Sequence, residues 1–426
     1  MGMKIPLRFG ASIATLMLLC TLAPITPAQA DGPSLSLTQA LSIARERNPA
    51  IGIAREKISA AEGARTQAGL IPNPSLTATS ENQPYSGSPG FSFANQTDDY
   101  IYASQTIELG GKRKRRTAAA EAGVQAAAQE AQIAARQLAA RVASAYWAAN
   151  GAGRIRDLYN DEARMLDRMV AYDQARVKEG AAAEADLLRI QLEADRMRAS
   201  ANLAGAEAQR ALVALYREMG STDFPQQVTF TDAMQAIDRL EVPAIDEVLL
   251  RRPEMLLARA RLEQARANLS LERANAIPDP DLMFGYKRWS GYNQFTGLNT
   301  MFFGAKIPIP IFNRNQGKVS AAEAQLRSAE QSLKAEEIAV RAEVASALSD
   351  YSRSREALNQ IMPVMSDRAD RNLDMTREAY RIGGTNLVRY LDAERMRIET
   401  QVLYTKTLGQ YHQSAVNLEY ATGMIQ

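Results

Sequence analysis

Two spacings of apolar and polar positions follow one another along this chain, and the succession occurs twice. Between Leu298 and Ile309, Met301, Phe303, Ala305 and Ile307 alternate with Thr300, Gly304 and Lys306, the period of a strand. From Lys318 onward the period changes. Val319, Ala322, Leu326, Ala329 and Leu333 step by three and four, Val340, Val344, Ala347 and Tyr351 continue the stripe, and Leu408, Tyr411, Ala415, Leu418 and Thr422 repeat it near the end. These are seam positions of an extended coiled coil, many of them alanines that let partner helices approach closely. Between the strand and the helix lies the run from Lys306 to Gly317. Pro308 and Pro310 cannot donate to a strand ladder and restrict the residues before them. Asn313, Arg314, Asn315 and Gly317 complete a strand-to-helix joint, the asparagines and the glycine supplying turn and capping chemistry.

A joint of the same kind, Gln105 to Lys112, stands roughly 200 residues earlier, and Ile71-Pro72-Asn73-Pro74 returns as Ile277-Pro278-Asp279-Pro280 about 206 residues on. A duplication follows. Residues 31–220 read as the first repeat, with opening helices capped by Ser36 and broken at Asn48-Pro49. Strands over about 75–82 and 100–109 come next, then a helical hairpin over 112–219 turning near Gly180. Residues 221–243 read as a linker-like insert. Residues 244–426 read as the second repeat, with strands over about 281–289 and 298–309 and a hairpin over 318–422 turning near Gly383 and kinked at Pro363. Each hairpin's first arm is roughly 100 Å long at 1.5 Å per residue. Such a helix cannot bury its stripe inside one compact domain and needs neighbours of equal length.

The strands have the 9–12 residues of a tilted membrane-crossing strand. An ordinary sheet with one wet face alternates equally well. Tyr100, Tyr102, Trp289 and Tyr292 are candidates for an interfacial aromatic belt, and Ile101, Ala103, Ile107 and Leu109 share one face. Four strands cannot close a barrel and an open edge is forbidden in lipid, so a membrane reading requires several copies.

Composition narrows the chemistry. Residues 1–30 read as a cleaved secretory signal: Lys4 and Arg8 at the start, an apolar run over 13–22, and the small-residue site Ala28-Gln29-Ala30 before Asp31. The only cysteine, Cys20, leaves with that segment. Leu19 before it is no lipidation site, so no lipid anchor is expected. The formal charge of +2 falls to zero without Lys4 and Arg8, which leaves no bulk attraction for nucleic acid. His412 is the sole histidine and reads as structural; Met362 and Met365 read as core. No nucleophile elbow, phosphate loop, zinc pattern or histidine triad is found, so neither enzyme activity, cofactor nor resident metal is expected. The basic run from Lys112 to Arg116 sits at a helix start, where the dipole disfavours cations. It reads either as a solvated first turn or as a contact with lipid phosphates.

Taken together, this order of elements resembles the TolC family of outer membrane efflux channels over essentially the whole mature chain. The run from Ile307 to Gly317 is especially similar to the branch serving cobalt–zinc–cadmium and copper resistance. The resemblance implies a mainly α fold with a membrane β-barrel portion. Three copies would form a 12-stranded barrel, four strands from each, continued by a trimeric helical tunnel through the periplasm. It also implies a periplasmic adaptor and an inner-membrane RND-type pump as partners. Residues 221–243 and the C-terminal end would form an equatorial belt.

At the tunnel tip the family's closing turn resembles Tyr380-x-Ile382-Gly383. It is followed by two pore-facing positions that are often acidic, here Arg389 and Asp392. The partner turn is Gly180, followed by the family's aspartate as Asp186. Arg389 departs from the pattern. The expectation is that Asp186 and Arg389 pair between hairpins to hold the tip closed, leaving Asp392 as a ring that favours cations. The competing reading of these three is solvated surface charge. Competing functions are a type I protein-secretion channel, with the same architecture, and a periplasmic coiled-coil adaptor, which should carry one hairpin between compact β domains.

Overall fold

The computed structural model describes residues 33–81, 97–236, 240–289 and 298–425. The secretory segment with Cys20, most of both strand-connecting loops, and Tyr292 lie outside the described residues.

The chain opens with β1 (Ser34–Leu35), α1 (Leu37–Arg47) and α2 (Pro49–Gly69). Ser36 and Gln39 form a reciprocal capping box on α1. The Asn48 side chain caps α2 with Pro49 at its first position. After β2 (Ser75–Glu81) and β3 (Asp98–Thr106) comes α3 (Lys112–Lys178), 67 residues without a break. It returns as α4 (Glu184–Glu218). The second half repeats the order: β4 (Thr229–Phe230), α5 (Ile245–Arg251), α6 (Pro253–Asn275), β5 (Asp281–Arg288), β6 (Asn299–Lys306), α7 (Gln316–Glu356), α8 (Met362–Arg381) and α9 (Leu387–Thr422). Among these residues no helix is long and apolar enough to cross a membrane.

Between α7 and α8 the chain makes a π turn over Ala357–Ile361, in which the Met362 N–H donates to the Ala357 carbonyl. The break expected at Pro363 is therefore relieved one turn upstream. Proline lacks the N–H the helix needs, and a widened turn absorbs the mismatch. Met362 is buried there, but Met365 is exposed and not core. Met365, three residues on and about 60° round the same helix, falls at the exposed margin of the buried stripe.

The principal core lies midway along the helices, where Tyr146 of α3 and Tyr411 and Leu418 of α9 are fully buried. The insert is tied into it. β4 pairs parallel with β1. The Asp232 carboxylate accepts from the Leu37 N–H (2.7 Å) and the Tyr146 hydroxyl (2.5 Å).

β2, β3, β5 and β6 form one antiparallel sheet in the order β2-β3-β5-β6. Register puts Leu76, Ile101, Phe284 and Phe303 on a single face, with Leu76 76% and Phe303 80% exposed. The opposite face carries Tyr102 and Phe302 closing edge-on over Gly285, and Lys287 bonded to Tyr100 and set against Trp289. Tyr100 and Tyr102 therefore stand on the inner face. They do not join the outer belt expected from their spacing, since side chains two apart share a face and theirs is opposite Ile101. β6 also stops at Lys306, short of Ile309, and among the described residues of one copy nothing pairs with its outer edge.

Candidate functional site

Both hairpins turn in the same way. Gly180 (φ 70°) and Gly383 (φ 77°) occupy the left-handed conformation after α3 and α8. The next residue's N–H closes back on the helix, Ala181 to Arg176 and Gly384 to Ala379. A side chain at either glycine would be strained. Next to these turns Tyr380 stacks on Tyr390, with centroids 5.3 Å apart and planes within 12°. Burial, followed by the Asp173 charge, raises the Tyr380 pKa. Asp173 is held by Arg176 at 3.1 Å, and Arg176 also bonds the Ala181 carbonyl.

Near the tips Asp186 is half-buried and Asp392 exposed, each facing an arginine one turn further along its own helix: Asp186 with Arg189 at 4.0 Å, Asp392 with Arg395. Arg389 lies in the first turn of α9, its backbone N–H bonded to the Asn386 side chain at 3.1 Å. Among the described residues of one subunit no ion pair joins Asp186 to Arg389.

Above the tip lies a network that no sequence spacing announces. Arg397 of α9 bonds Glu162 of α3 at 3.0 Å and Glu394 at 3.4 Å. Glu394 also accepts from the Tyr390 hydroxyl (2.9 Å) and from Arg377 (3.4 Å). Both carboxylates are almost completely buried. Burial and the neighbouring Glu394 charge lift the Glu162 pKa to about 7, against the pull of Arg397. The only sequence signal was the presence of acids in otherwise apolar stripes.

At the opposite end the two joints are built differently. In the first, Lys112 is buried, bonding Asp279 (2.7 Å) and the Ile277 carbonyl (2.6 Å). Arg116 bonds Glu108 and the carbonyls of Ala68 and Leu70. Asp279 also accepts from the Leu109 N–H, and Asp281 from the Thr106 hydroxyl. The basic run thus straps the joint together and leaves Arg113 and Lys114 exposed. In the second joint Asn315, not Gly317, takes the left-handed conformation (φ 61°), and its side chain bonds Glu272. Gly317 lies inside the first turn of α7 with open space around it, so it supplies no turn. Asn313 accepts from the Asn315 N–H, while the Arg314 N–H donates to Gln316. Pro308 and Pro310 sit among Ile307, Ile309 and Ile311, all exposed. Among the described residues no group of three or more His, Cys, Asp or Glu side chains is placed to hold a metal ion.

Comparison with known proteins agrees with this architecture. A cobalt-zinc-cadmium resistance protein, CzcC of Cupriavidus metallidurans, is 27% identical over 407 residues, covering 95% of this chain and 93% of its own. A membrane protein of Pseudomonas aeruginosa superposes with a TM-score of 0.77 at 23% identity, covering 91% of this chain and 92% of its own. The channel CusC superposes at 0.76 with 19% identity, over 91% of each chain. The Campylobacter jejuni outer membrane channel CmeC superposes at 0.75 with 16% identity, over 98% of this chain and 94% of its own. The family model for outer membrane efflux proteins matches residues 40–221 and again 244–424, so both halves carry the same signature. A helical hairpin pair carrying a half-apolar sheet, matched over both repeats, places this chain in the outer membrane efflux protein family: it belongs to a class of transport channels and not of enzymes.

Proposed function

We propose that the chain is the outer membrane exit duct of a tripartite efflux pump, exporting heavy-metal cations. The observation that carries the duct is the sheet: four strands with an apolar outer face, a polar and aromatic inner face, and two edges, β2 and β6, that are unpaired among the described residues. Lipid tolerates no open edge, so copies must close edge to edge. Three copies give a 12-stranded barrel in outer membrane lipid, with the long helices continuing it through the periplasm. A periplasmic adaptor and an inner-membrane RND-type pump would dock at the helical tips and supply the energy. The mature chain would begin at Asp31 after signal cleavage, without a lipid anchor.

Metal cations are favoured over other cargo by likeness to a cobalt-zinc-cadmium resistance protein over nearly the whole of both chains. The tip supplies the selective element. Asp392, three times around a narrow pore, favours cations, and Asp186 pairs with Arg389 across neighbouring hairpins of different subunits to hold the tip shut. A type I protein-secretion channel would share the architecture, but nothing in the site favours it. Deleting the gene and growing the cells against a panel of metals and drugs tests the proposal. Sensitivity to divalent metals alone is expected. Unchanged metal tolerance with loss of a secreted protein would overturn the cargo and favour the secretion channel.

A further inference from the structure

The internal duplication fixes how two copies should join. Ser75 and Asp281 open equivalent strands, each following an Ile-Pro-Asx-Pro run. Ser75 stands opposite Ser104, and Asp281 opposite Lys306. Ser104 and Lys306 are therefore equivalent, and with them Thr106 and Pro308, and Ile107 and Ile309. On its other side β3 meets β5 with Thr106 opposite Asp281 and Ser104 opposite Met283. Beyond the ladder, the Ile107 N–H donates to the Pro280 carbonyl at 2.9 Å. Among the described residues of one copy β6 has no such neighbour, and neither has the outer edge of β2.

Resting on the closure of copies proposed above, we infer that β6 of one copy pairs with β2 of the next with Lys306 opposite Thr77 and Pro308 opposite Ser75. The Ile-Pro-Ile-Pro-Ile run then becomes the continuation of β6 that forms on assembly. The phase of its amides supports this. The Trp289 N–H donates to the Leu298 carbonyl, so even-numbered residues of β6 direct their backbone groups at β5 and odd-numbered ones at the free edge. Pro308 and Pro310 are even. Their missing N–H groups fall on the side where β5 has already ended. Ile307 and Ile309 are odd, so their N–H groups point to the next copy. Ile307 bonds the Leu76 carbonyl there and Ile309 the Pro74 carbonyl, as Ile107 bonds Pro280 within a chain. Side chains agree with the backbone. Ala305 meets Ala78 and Ile307 meets Leu76 on the apolar face, whereas a slip of one residue would turn Phe303 against the polar face.

Cysteine cross-linking of the full chain decides the register. On the opposite, polar face, where Thr77 and Lys306 lie, directly opposed side chains are about 5 Å apart at Cβ and those displaced by two residues about 7–8 Å. Thr77→Cys with Lys306→Cys should yield covalent trimers on a non-reducing gel, while Ser75→Cys or Thr79→Cys with Lys306→Cys should cross-link at least several-fold more slowly. A trimer that cross-links fastest through Ser75→Cys or Thr79→Cys, or through none of the three pairs, would overturn the register and leave closure standing. A chain that stays a single subunit after detergent extraction would overturn closure itself. Proline scanning gives an independent readout: Ile309→Pro should weaken the trimer and Pro308→Ala should not, and equal effects would overturn the amide phase.

Discussion

Arg397 on α9 grips Glu162 on α3 at 3.0 Å, although the two residues stand 235 positions apart in sequence. This contact ties the second hairpin to the first a few turns above the tip, so it lies on the path by which the tip would spread.

The Glu162 carboxyl makes that tie sensitive to pH. Burial and Glu394 lift its pKa from an ordinary 4.5 to about 7. Its contribution is fully present below about pH 4.5 and is lost as pH rises through about 7, where a second buried negative charge appears beside Glu394. Hydrogen exchange in α3 and α9, after correction for the intrinsic rise of amide exchange with pH, should therefore quicken between pH 5 and 8. Glu162→Gln should flatten that rise while keeping a hydrogen bond to Arg397. An undiminished rise in the variant would show that another group is responsible.

His412 titrates in the opposite sense. It lies flat on Trp147, with ring centroids 3.8 Å apart, and burial lowers its pKa to about 4. Its contribution is complete above about pH 6.5 and disappears as pH falls through about 4. Thermal melting of His412→Phe should lose less between pH 6.5 and 4 than the parent does. His412→Ala should cost about 2–4 kcal/mol at neutral pH through the void it leaves.

The first joint depends on Asp279. Asp279→Asn keeps an acceptor for the Leu109 N–H but leaves the Lys112 charge buried against one carbonyl. A loss of about 3 kcal/mol is expected in chemical denaturation. Arg113→Ala, at an exposed position in the same basic run, should change stability by less than about 0.5 kcal/mol.

For the tip, planar-bilayer recordings separate the roles of the two charges. Asp392→Ala should reduce cation preference, and Arg389→Ala should raise conductance by freeing the closed tip. Unchanged conductance and ion preference in both would remove these residues from the gate.

Much of this architecture could be read from spacing because it is local or repeated. The helix that opens at Lys112 announces itself by a double glycine followed by a long run of helix formers broken at Gly151 and Gly153, and the seam residues Tyr411, Ala415 and Leu418 are buried as their three-four steps require. What stayed hidden depends on distant partners. The Lys112 to Arg116 run looks like a solvated cluster until Asp279 and Glu108 are brought beside it. Tyr100 and Tyr102 have the composition of an outer belt, but the face they occupy is fixed by β5. The Glu162–Arg397–Glu394 network joins residues whose separate spacings carry no shared signal.

The π turn at Ala357–Ile361 has a consequence for the hairpin as a whole. It inserts a surplus residue into an otherwise regular rod, so the stretch toward the tip is rotated by about 100° relative to one that ran straight through. The rod behaves like a spliced cable whose lower strands are wound from a new starting mark. Removing a single residue at the splice would let the rod run straight while Tyr380 and everything beyond it still face their present partners; closing the splice with every residue kept would swing them all away.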